Sequence, residues 1–232
     1  MTKFATLIGG MSALIYVLVF IVNTFLIITI VDAVLMGALK LRFSRKCRLT
    51  SFMITAPNRI DFQSGNECAA YSSAYLLRHL GIQVHAADGA PLAESMLTDG
   101  DKLYAEMDCK LRGGYVYPKG IKKLLARYGV RVSYCRGNLN ALKNEVARGA
   151  PVIVMIRSRA GESYLHFVPV VGYDADFIYI ADSWKAFANC ANEGCCNRKV
   201  PVKEFSKLWN TAMLKMPLYK NTFFTLRTSL PS

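Results

Sequence analysis

The sequence predicts an α+β protein with two lobes, a helical lobe followed by an antiparallel sheet, behind an N-terminal transmembrane helix. Three observations predict this arrangement. Residues 6–31 contain no charged side chain. Helical patterns fill the first half of the remaining chain, and apolar runs typical of strands fill the second half. A cleft between the two lobes is the expected place for a functional site.

The first element is the apolar run "TLIGGMSALIYVLVFIVNTFLIITIV" at residues 6–31. About 20 apolar residues suffice to cross a hydrocarbon core about 30 Å thick, whereas the apolar part of a signal peptide has about 7 to 15. We therefore predict an uncleaved anchor over residues 1–39, with a cleaved signal peptide and a buried core helix as the alternatives. The anchor makes the lipid bilayer a predicted partner.

Residues 40–57 are predicted to be a basic linker. Lys3 is the only charged side chain ahead of the apolar run, whereas five basic residues follow it: Lys40, Arg42, Arg45, Lys46 and Arg48. The positive-inside rule favours a single-pass orientation with the C-terminal domain in the cytoplasm. The basic cluster would then lie against anionic lipid headgroups.

Residues 58–232 are predicted to form one globular domain. Its first helix begins at Cys68, and a loop or short helix follows over residues 87–101. Asn138 or Asn140 is the predicted cap of a later helix. The further helices are predicted over "LYAEMDCKLR", "PKGIKKLLARYG", "NLNALKNEVARGA" and "PVKEFSKLWN". The strands are predicted over "VRVSYC", "PVIVMIRS", "LHFVPVVGYD", "DFIYIADSW" and "FFTLRT".

The composition limits the classes of partner. A formal net charge of +13 suggests an acidic or membrane-surface partner. The sequence has no basic patch interleaved with aromatic residues and no zinc-finger or P-loop spacing, so nucleic acid is not an expected partner. The seven cysteines leave at least one without an intramolecular disulfide partner, and a cytoplasmic domain would keep most of them reduced.

Cys68 opens a helix, and this position suits a nucleophile. The N–H groups of a first helical turn have no intrahelical partners, and with the helix dipole they favour a thiolate. His166 begins one predicted strand and Asp182 ends the next. A tight connection at residues 174–176 makes the two strands antiparallel, so His166 and Asp182 are predicted neighbours.

Two other histidines are alternative partners for Cys68. His79 stands eleven residues further along the same helix, which places it roughly 16 Å away along the axis. His85 follows in a loop and has no orienting partner that the sequence identifies. His166 is therefore the predicted base.

The roles of these residues follow from their chemistry. Cys68 would give its proton to His166, which later protonates a leaving amine. Asp182 would fix the orientation and tautomer of the imidazole. Gln63, five residues ahead of Cys68, would hold the oxyanion of a tetrahedral intermediate together with the Cys68 N–H. Taken singly, each of these residues also fits an ordinary core or surface position.

The combined motifs resemble papain-like cysteine peptidases, in particular the bacteriocin-processing (double-glycine) peptidases and their stand-alone relatives. The resemblance covers about residues 58–212. It rests on Gln63 ahead of Cys68 and on the motifs "LRHLG", "LLARYG", "RGAPVIVMI", "HFVPVVGYD", "ADSW" and "VKEFSKLW". The sequence departs from the family pattern at two positions. Ala69 stands where the family usually has Gly, and Glu67 stands where it often has Asp or Gly.

The resemblance implies a papain-like fold and a cysteine peptidase that acts on a peptide or protein substrate, with leader peptides as the family-level example. It assigns the four roles to Gln63, Cys68, His166 and Asp182 and implies no cofactor and no catalytic metal. An acyl- or peptidyl-transferase on the same scaffold and an inactive peptide-binding scaffold are the alternatives.

The segment "CANEGCC" adds three cysteines outside these motifs: Cys190, Cys195 and Cys196. A disulfide, a metal site without an obvious fourth ligand, a redox-sensitive loop and an ordinary loop are the alternatives for this segment.

Overall fold

The structure is a computed structural model, and it describes residues 2–36, 39–84, 97–108, 110–190, 194–213 and 216–227. Its first element is the helix α1 (Thr2–Met36). Within α1, the stretch Ala13–Val31 is long and apolar enough to cross a membrane, and none of it is buried against the rest of the chain.

The helices and the longer strands after α1 follow the predicted order, and three short strands were not predicted. The helices are α2 (Cys68–His79), α3 (Asp99–Glu106), α4 (Pro118–Arg127), α5 (Leu139–Val146) and α6 (Val202–Trp209). The first four strands are β1 (Leu39–Arg42), β2 (Phe52–Met53), β3 (Val132–Gly137) and β4 (Val152–Arg157). The last four strands are β5 (Leu165–Tyr173), β6 (Phe177–Ile180), β7 (Arg198–Pro201) and β8 (Thr222–Leu226). This arrangement confirms the α+β class. The three strands that were not predicted are β1, β2 and β7.

The strands form one sheet in the order β1-β3-β8-β4-β5-β6-β7, with β2 paired to β5. The ladders of the predicted domain are antiparallel, as expected, but β1 and β3 run parallel. The sheet is therefore mixed rather than purely antiparallel. The parallel pair was not predicted because β1 lies in the segment that we expected to be a linker.

The expected linker, residues 40–57, packs against the domain in the structure. Its backbone is fastened to α5 by asparagine side chains. The side chain of Asn138 accepts from the Ser44 N–H at 3.1 Å and donates to the Ser44 carbonyl at 2.8 Å. Asn144 accepts from the Arg48 N–H at 2.8 Å. These bonds from asparagine side chains satisfy backbone N–H and C=O groups of the segment. From its charged residues alone, the segment is expected to be exposed to solvent.

The sheet carries helices on both faces because its strands are apolar on both faces. In β4, Ile153 and Met155 point to one side, whereas Val154 and Ile156 point to the other. The first pair packs in a cluster with α2 and α4, and the second pair packs with α5 and α6. The cluster around α2 is the helical lobe, and it positions the amino end of α2 against the sheet.

Local capping explains two helix boundaries. Asn138, one of the two predicted caps, accepts from the Ala141 N–H at 3.0 Å and begins α5. Thr98 and Asp101 form a capping box that begins α3 at Asp99. The predicted helix "LYAEMDCKLR" therefore starts earlier than its apolar pattern suggests and ends at Glu106. The predicted loop at residues 87–101 lies mostly outside the described residues.

Because β1 belongs to the sheet, the position of an N-terminal truncation decides its effect on stability. A chain that begins at residue 50 loses β1 and the bonds to Asn138 and Asn144. We expect it to melt at least about 5 °C below a chain that begins at residue 38, since each lost hydrogen bond contributes about 1 kcal/mol. Equal melting temperatures in differential scanning calorimetry would show that β1 contributes nothing.

Candidate active site

Cys68 is the first residue of α2, and Glu67 is its N-cap. The Cys68 side chain is only 5% exposed and belongs to the core cluster of the helical lobe. The carboxylate of Glu67, one of the departures from the family pattern, accepts from the Gly65 N–H at 2.7 Å. The other departure, Ala69, is buried. The thiol therefore lies at the positive end of α2, as the sequence predicts.

His166 lies on β5 and has no solvent exposure. Its Nε2 is 2.8 Å from Oδ1 of Asp182, which stands two residues beyond the end of β6. The antiparallel pairing of β5 and β6 brings the start of one strand to the end of the other. The predicted proximity of His166 and Asp182 is therefore confirmed.

Cys68 also acts on the imidazole, since its interaction with His166 helps to raise the pKa of the ring. Nδ1 of His166 is buried and has no hydrogen-bond partner among the described residues. One ring nitrogen therefore meets the carboxylate, which leaves Nδ1 available to another group.

The electrostatics of this group favour a charged imidazole. Burial by itself lowers the pKa of His166, but the charge and hydrogen bond of Asp182, assisted by Cys68, outweigh it and raise the pKa to about 9. Burial raises the pKa of Asp182, and the interaction with His166, the Trp184 N–H and the charge of Arg198 together lower it. Asp182 is therefore an anion beside a cationic ring near neutral pH.

Arg198 is a member of this group that the sequence analysis missed. Its Nη1 donates to Oδ2 of Asp182 at 2.8 Å, and the guanidinium lies over the ring of Phe187 at 4.8 Å. Arg198 faces Asp182 because it stands opposite Ile180 in the β6–β7 ladder. The only signal in the sequence is its position beside the cysteine-rich segment, and that position does not identify a partner.

Asn197 also escaped the sequence analysis. Its side chain accepts from the Asp182 N–H and donates to the Asp182 carbonyl, each at 2.8 Å. The Trp184 N–H donates to Oδ1 of Asp182 at 2.8 Å. These bonds fix the backbone and the carboxylate of Asp182 together, so the direction of the carboxylate toward His166 is set by the chain around it.

Gln63 lies beside the same segment. Its Oε1 accepts from the Ser183 hydroxyl at 2.6 Å, and its backbone N–H donates to the Ser183 carbonyl at 2.9 Å. Its Nε2 donates to the Gly65 carbonyl at 2.5 Å. An amide nitrogen carries two hydrogens, so this bond uses one and leaves the second for another acceptor.

Aromatic rings cover the imidazole. The ring centroids of Trp184 and Phe187 lie 6.0 Å and 6.3 Å from that of His166. Tyr164 packs on Trp184 at 5.3 Å. Burial, followed by the charge of Cys68, raises the pKa of Tyr164. The rings separate the imidazole from water, which strengthens its interaction with Asp182.

A cavity of about 300 Å³ opens at Cys68. Its walls are mostly apolar and include Val116, Met155, Tyr164 and Phe167. Because Cys68 lines this cavity, a ligand in it would lie against the thiol. The cavity lies between the helical lobe and the sheet, where the sequence predicts a cleft.

The other sequence candidates lie elsewhere. Nε2 of His79 is 2.9 Å from the Gly149 carbonyl, away from Cys68, and His85 lies outside the described residues. Cys195 and Cys196 are buried in a cluster that includes Tyr75. Among the described residues, which exclude 191–193, no group of three or more His, Cys, Asp or Glu side chains could hold a metal ion.

The model of the Peptidase_C39 like family matches residues 53–213. No curated protein matches the sequence. A structure described as a C39-like peptidase from Bacillus anthracis is similar at 17% identity and a TM-score of 0.54, covering 77% of this chain and 98% of that one. This likeness supports the fold.

Two further structures are more distant. A double glycine motif protease from an AMS/PCAT transporter, in complex with the leader peptide, has 17% identity and a TM-score of 0.44, covering 80% of this chain and 96% of that one. Xylellain, a cysteine protease from Xylella fastidiosa, has 14% identity and a TM-score of 0.35, covering 81% of this chain and 92% of that one.

Replacing Arg198 with methionine tests whether the guanidinium group stabilises the buried carboxylate of Asp182. The substitution leaves a carboxylate with no solvent exposure one cation short, so we expect the free energy of unfolding to fall by about 3 kcal/mol near neutral pH. Because the pKa of Asp182 is lower in the folded state than in the unfolded state, where it is about 3.9, the ionised carboxylate stabilises the fold at pH values above 3.9. This stabilisation disappears as the pH falls through the pKa of the folded state. Loss of Arg198 raises the pKa of Asp182 in the folded state.

Acid unfolding of the Arg198→Met variant should therefore begin at higher pH than in the parent chain. Melting temperatures measured from pH 3 to pH 7 check this. Lys199→Met, at the exposed neighbouring position, is the matched control and should leave the profile unchanged. Identical profiles for the two variants would mean that Arg198 does not stabilise the carboxylate.

Proposed function

The chain belongs to the Peptidase_C39 like family and is a cysteine-type peptidase, and we propose that Cys68, His166 and Asp182 are its catalytic triad. Gln63 is the proposed oxyanion donor. We further propose that α1 holds the enzyme at a membrane and that its substrates are peptides or proteins, including leader peptides.

The observation that carries the triad is the buried pair of His166 and Asp182, with Nε2 and Oδ1 2.8 Å apart. This bond leaves Nδ1 available to the thiol, and Cys68 is among the groups that raise the pKa of the ring. A carboxylate that accepts from one ring nitrogen fixes the tautomer that the other nitrogen needs. The order of thiol, imidazole and carboxylate is what nucleophilic catalysis requires.

In the proposed reaction, the Cys68 sulfur attacks the carbonyl carbon of the scissile peptide after its proton has moved to Nδ1 of His166. The tetrahedral oxyanion then collapses, the C–N bond breaks, and Nδ1–H protonates the departing amine. A water molecule attacks the resulting thioester and gives its proton to Nδ1. The carbon–sulfur bond breaks, the acid product leaves, and the thiol is restored.

Gln63 suits the oxyanion role because its amide is fixed at both ends. Ser183 holds its oxygen, and the Gly65 carbonyl accepts one N–H of its nitrogen. The second N–H and the backbone N–H of Cys68 are the proposed donors. Preorganised donors of this kind stabilise the transition state because they need no rearrangement as charge develops, and losing one typically costs about 10² to 10³ in rate.

The apolar cavity at Cys68 supports a substrate with a large apolar side chain near the scissile bond. Its volume of about 300 Å³ accommodates one such side chain, and its walls offer few polar groups. Processing of leader peptides is supported by the resemblance of the sequence motifs. Cleavage profiling of a peptide library with the active chain and its Cys68→Ala variant would identify the residues on either side of the cleaved bond.

The proposed membrane attachment is supported by α1, whose stretch Ala13–Val31 has no contact that buries it. The basic residues that follow α1 favour a cytoplasmic position for the peptidase domain. A signal sequence would have the same apolar stretch, so resistance of the full chain to alkaline extraction from membranes is the measurement that separates the two.

The Cys68→Ala variant tests the nucleophile. We expect kcat/KM for peptide hydrolysis to fall at least about 10⁴-fold, with an unchanged melting temperature, because alanine fits a helix start at little cost. Cys47→Ala, a half-buried thiol away from the cavity, is the matched control and should retain full activity. Retained hydrolysis in Cys68→Ala would refute the triad.

The same assay separates the alternatives. If the acyl group is transferred to an added amine in place of water, the transferase is favoured. If the parent chain binds peptides but shows no turnover, the inactive scaffold is favoured.

The pH dependence of kcat/KM tests His166 as the acid. The imidazolium exists below its pKa of about 9 and is lost above it, so the basic limb of the profile should have its midpoint near pH 9. Asp182→Asn removes the charge that raises this pKa. The limb should then move to lower pH and the rate should fall by up to about 10⁴-fold. A limb that stays in place would exclude the pair.

A further inference from the structure

A second concave region, which we call the basic groove, has a volume of about 400 Å³ and shares no lining residue with the cavity at Cys68. Five basic side chains line it: Lys40, Arg42, Arg131, Arg148 and Arg227. They come from β1, from the residue before β3, from the chain after α5 and from the residue after β8. The fold therefore gathers cations that are more than a hundred residues apart in sequence.

The geometry of the sheet explains the groove. Ser133 of β3 and Thr225 of β8 are cross-strand partners, and both are buried. Arg131 and Arg227 stand two residues from these positions, so they lie on the same face as the hydroxyls. Lys40 stands opposite Cys135, which is on that face as well. The groove thus has a floor with two hydroxyl groups and a rim of cations.

The groove has a surplus of positive charge. Glu145 pairs with Arg42 at 3.0 Å and with Arg148 at 3.3 Å. In the part of the chain that the structure describes, Lys40 and Arg131 have no ion-pair partner. Five cations against this one carboxylate leave a surplus of four.

The surplus also acts on a neighbouring residue outside the groove. Burial, and then the charges of Arg227 and Lys40, lower the pKa of Lys122. Cations on an edge strand such as β1 often serve to prevent pairing with another chain. That explanation covers Lys40 but not Arg227, which lies at the end of an interior strand. The concentration of charge therefore points to an anionic ligand.

The position of the groove suggests which anion. Lys40 is four residues beyond Met36, the end of α1, so it lies within about 14 Å of that end in any conformation of the chain. The five helical residues after Val31 add about 8 Å. If Ala13–Val31 spans a bilayer, the groove is held within reach of the headgroup layer, which extends roughly 5 to 7 Å beyond the hydrocarbon.

We infer that the basic groove binds the phosphate group of an anionic phospholipid and docks the β1, β3 and β8 side of the domain on the membrane. Guanidinium groups and hydroxyls together match the charge and the acceptor geometry of a phosphate. This inference rests on the membrane attachment proposed for α1. It goes beyond that attachment because it predicts the orientation of the domain and a dependence on lipid charge.

The test uses the full chain in lipid nanodiscs, which expose both faces of the bilayer. One set contains phosphatidylcholine alone, and the other contains phosphatidylcholine with phosphatidylglycerol. The reaction of Lys40 with a water-soluble acylating reagent is followed by peptide mapping. We expect at least about threefold slower acylation of Lys40 in the anionic discs. Equal rates in the two sets of discs would overturn the inference.

Variants distinguish binding of lipid in the basic groove from general electrostatic attraction between a basic domain and an anionic bilayer. Arg131→Gln combined with Arg227→Gln should abolish the protection of Lys40 by anionic lipid. Lys203→Gln combined with Lys207→Gln removes the same charge from exposed positions on α6 and should preserve it. Protection that survives the first pair, or that the second pair removes equally, would refute a specific groove.

Two further arms distinguish the possible failures. Inorganic phosphate added to neutral discs should give no protection of Lys40, and full protection there would identify a site for a free anion instead of a lipid. Co-elution of the chain with the discs in high salt tests α1 separately. A chain that does not co-elute but is still protected by anionic lipid would refute the anchor and support the groove.

Discussion

The carboxylate of Asp182 is the group on which the arrangement of the site depends. It has no solvent exposure, and it accepts from His166, from the Trp184 N–H and from Arg198. A buried carboxylate without such partners would cost several kcal/mol. Strands β5, β6 and β7 must therefore all be in register to supply this buried anion with its partners, and that register also fixes the orientation of His166.

The sequence could predict His166 and Asp182 because their proximity depends on local rules. Two strands joined by a tight connection must be antiparallel, which places the start of one beside the end of the next. Cys68 could be predicted because a helix start has a recognisable pattern. Arg198 could not, because its relation to Asp182 depends on β7, whose position in the sheet no local signal determines.

The same distinction applies to the fold. The helices and strands of the domain follow from apolar periodicity, and the α+β class follows from their order. The parallel pairing of β1 could not be predicted in this way, since a segment with Lys40, Arg42 and Arg48 has the composition of a solvated linker. Its fixation depends on Asn138 and Asn144, about a hundred residues away, and such long-range hydrogen bonds leave no pattern in the segment itself.

The two proposed contacts with the membrane differ in their physical roles. A helix such as α1 supplies affinity but lets the domain rotate about the point of attachment. A groove that binds headgroups weakly can remove this freedom, because the tether keeps it at a high effective concentration near the surface. Since β1 follows α1 almost directly, the short connection makes even a modest affinity of Arg131 and Arg227 for phosphate sufficient. The sheet that holds the proposed triad would then have a fixed orientation relative to the bilayer, and with it the direction from which a substrate reaches Cys68.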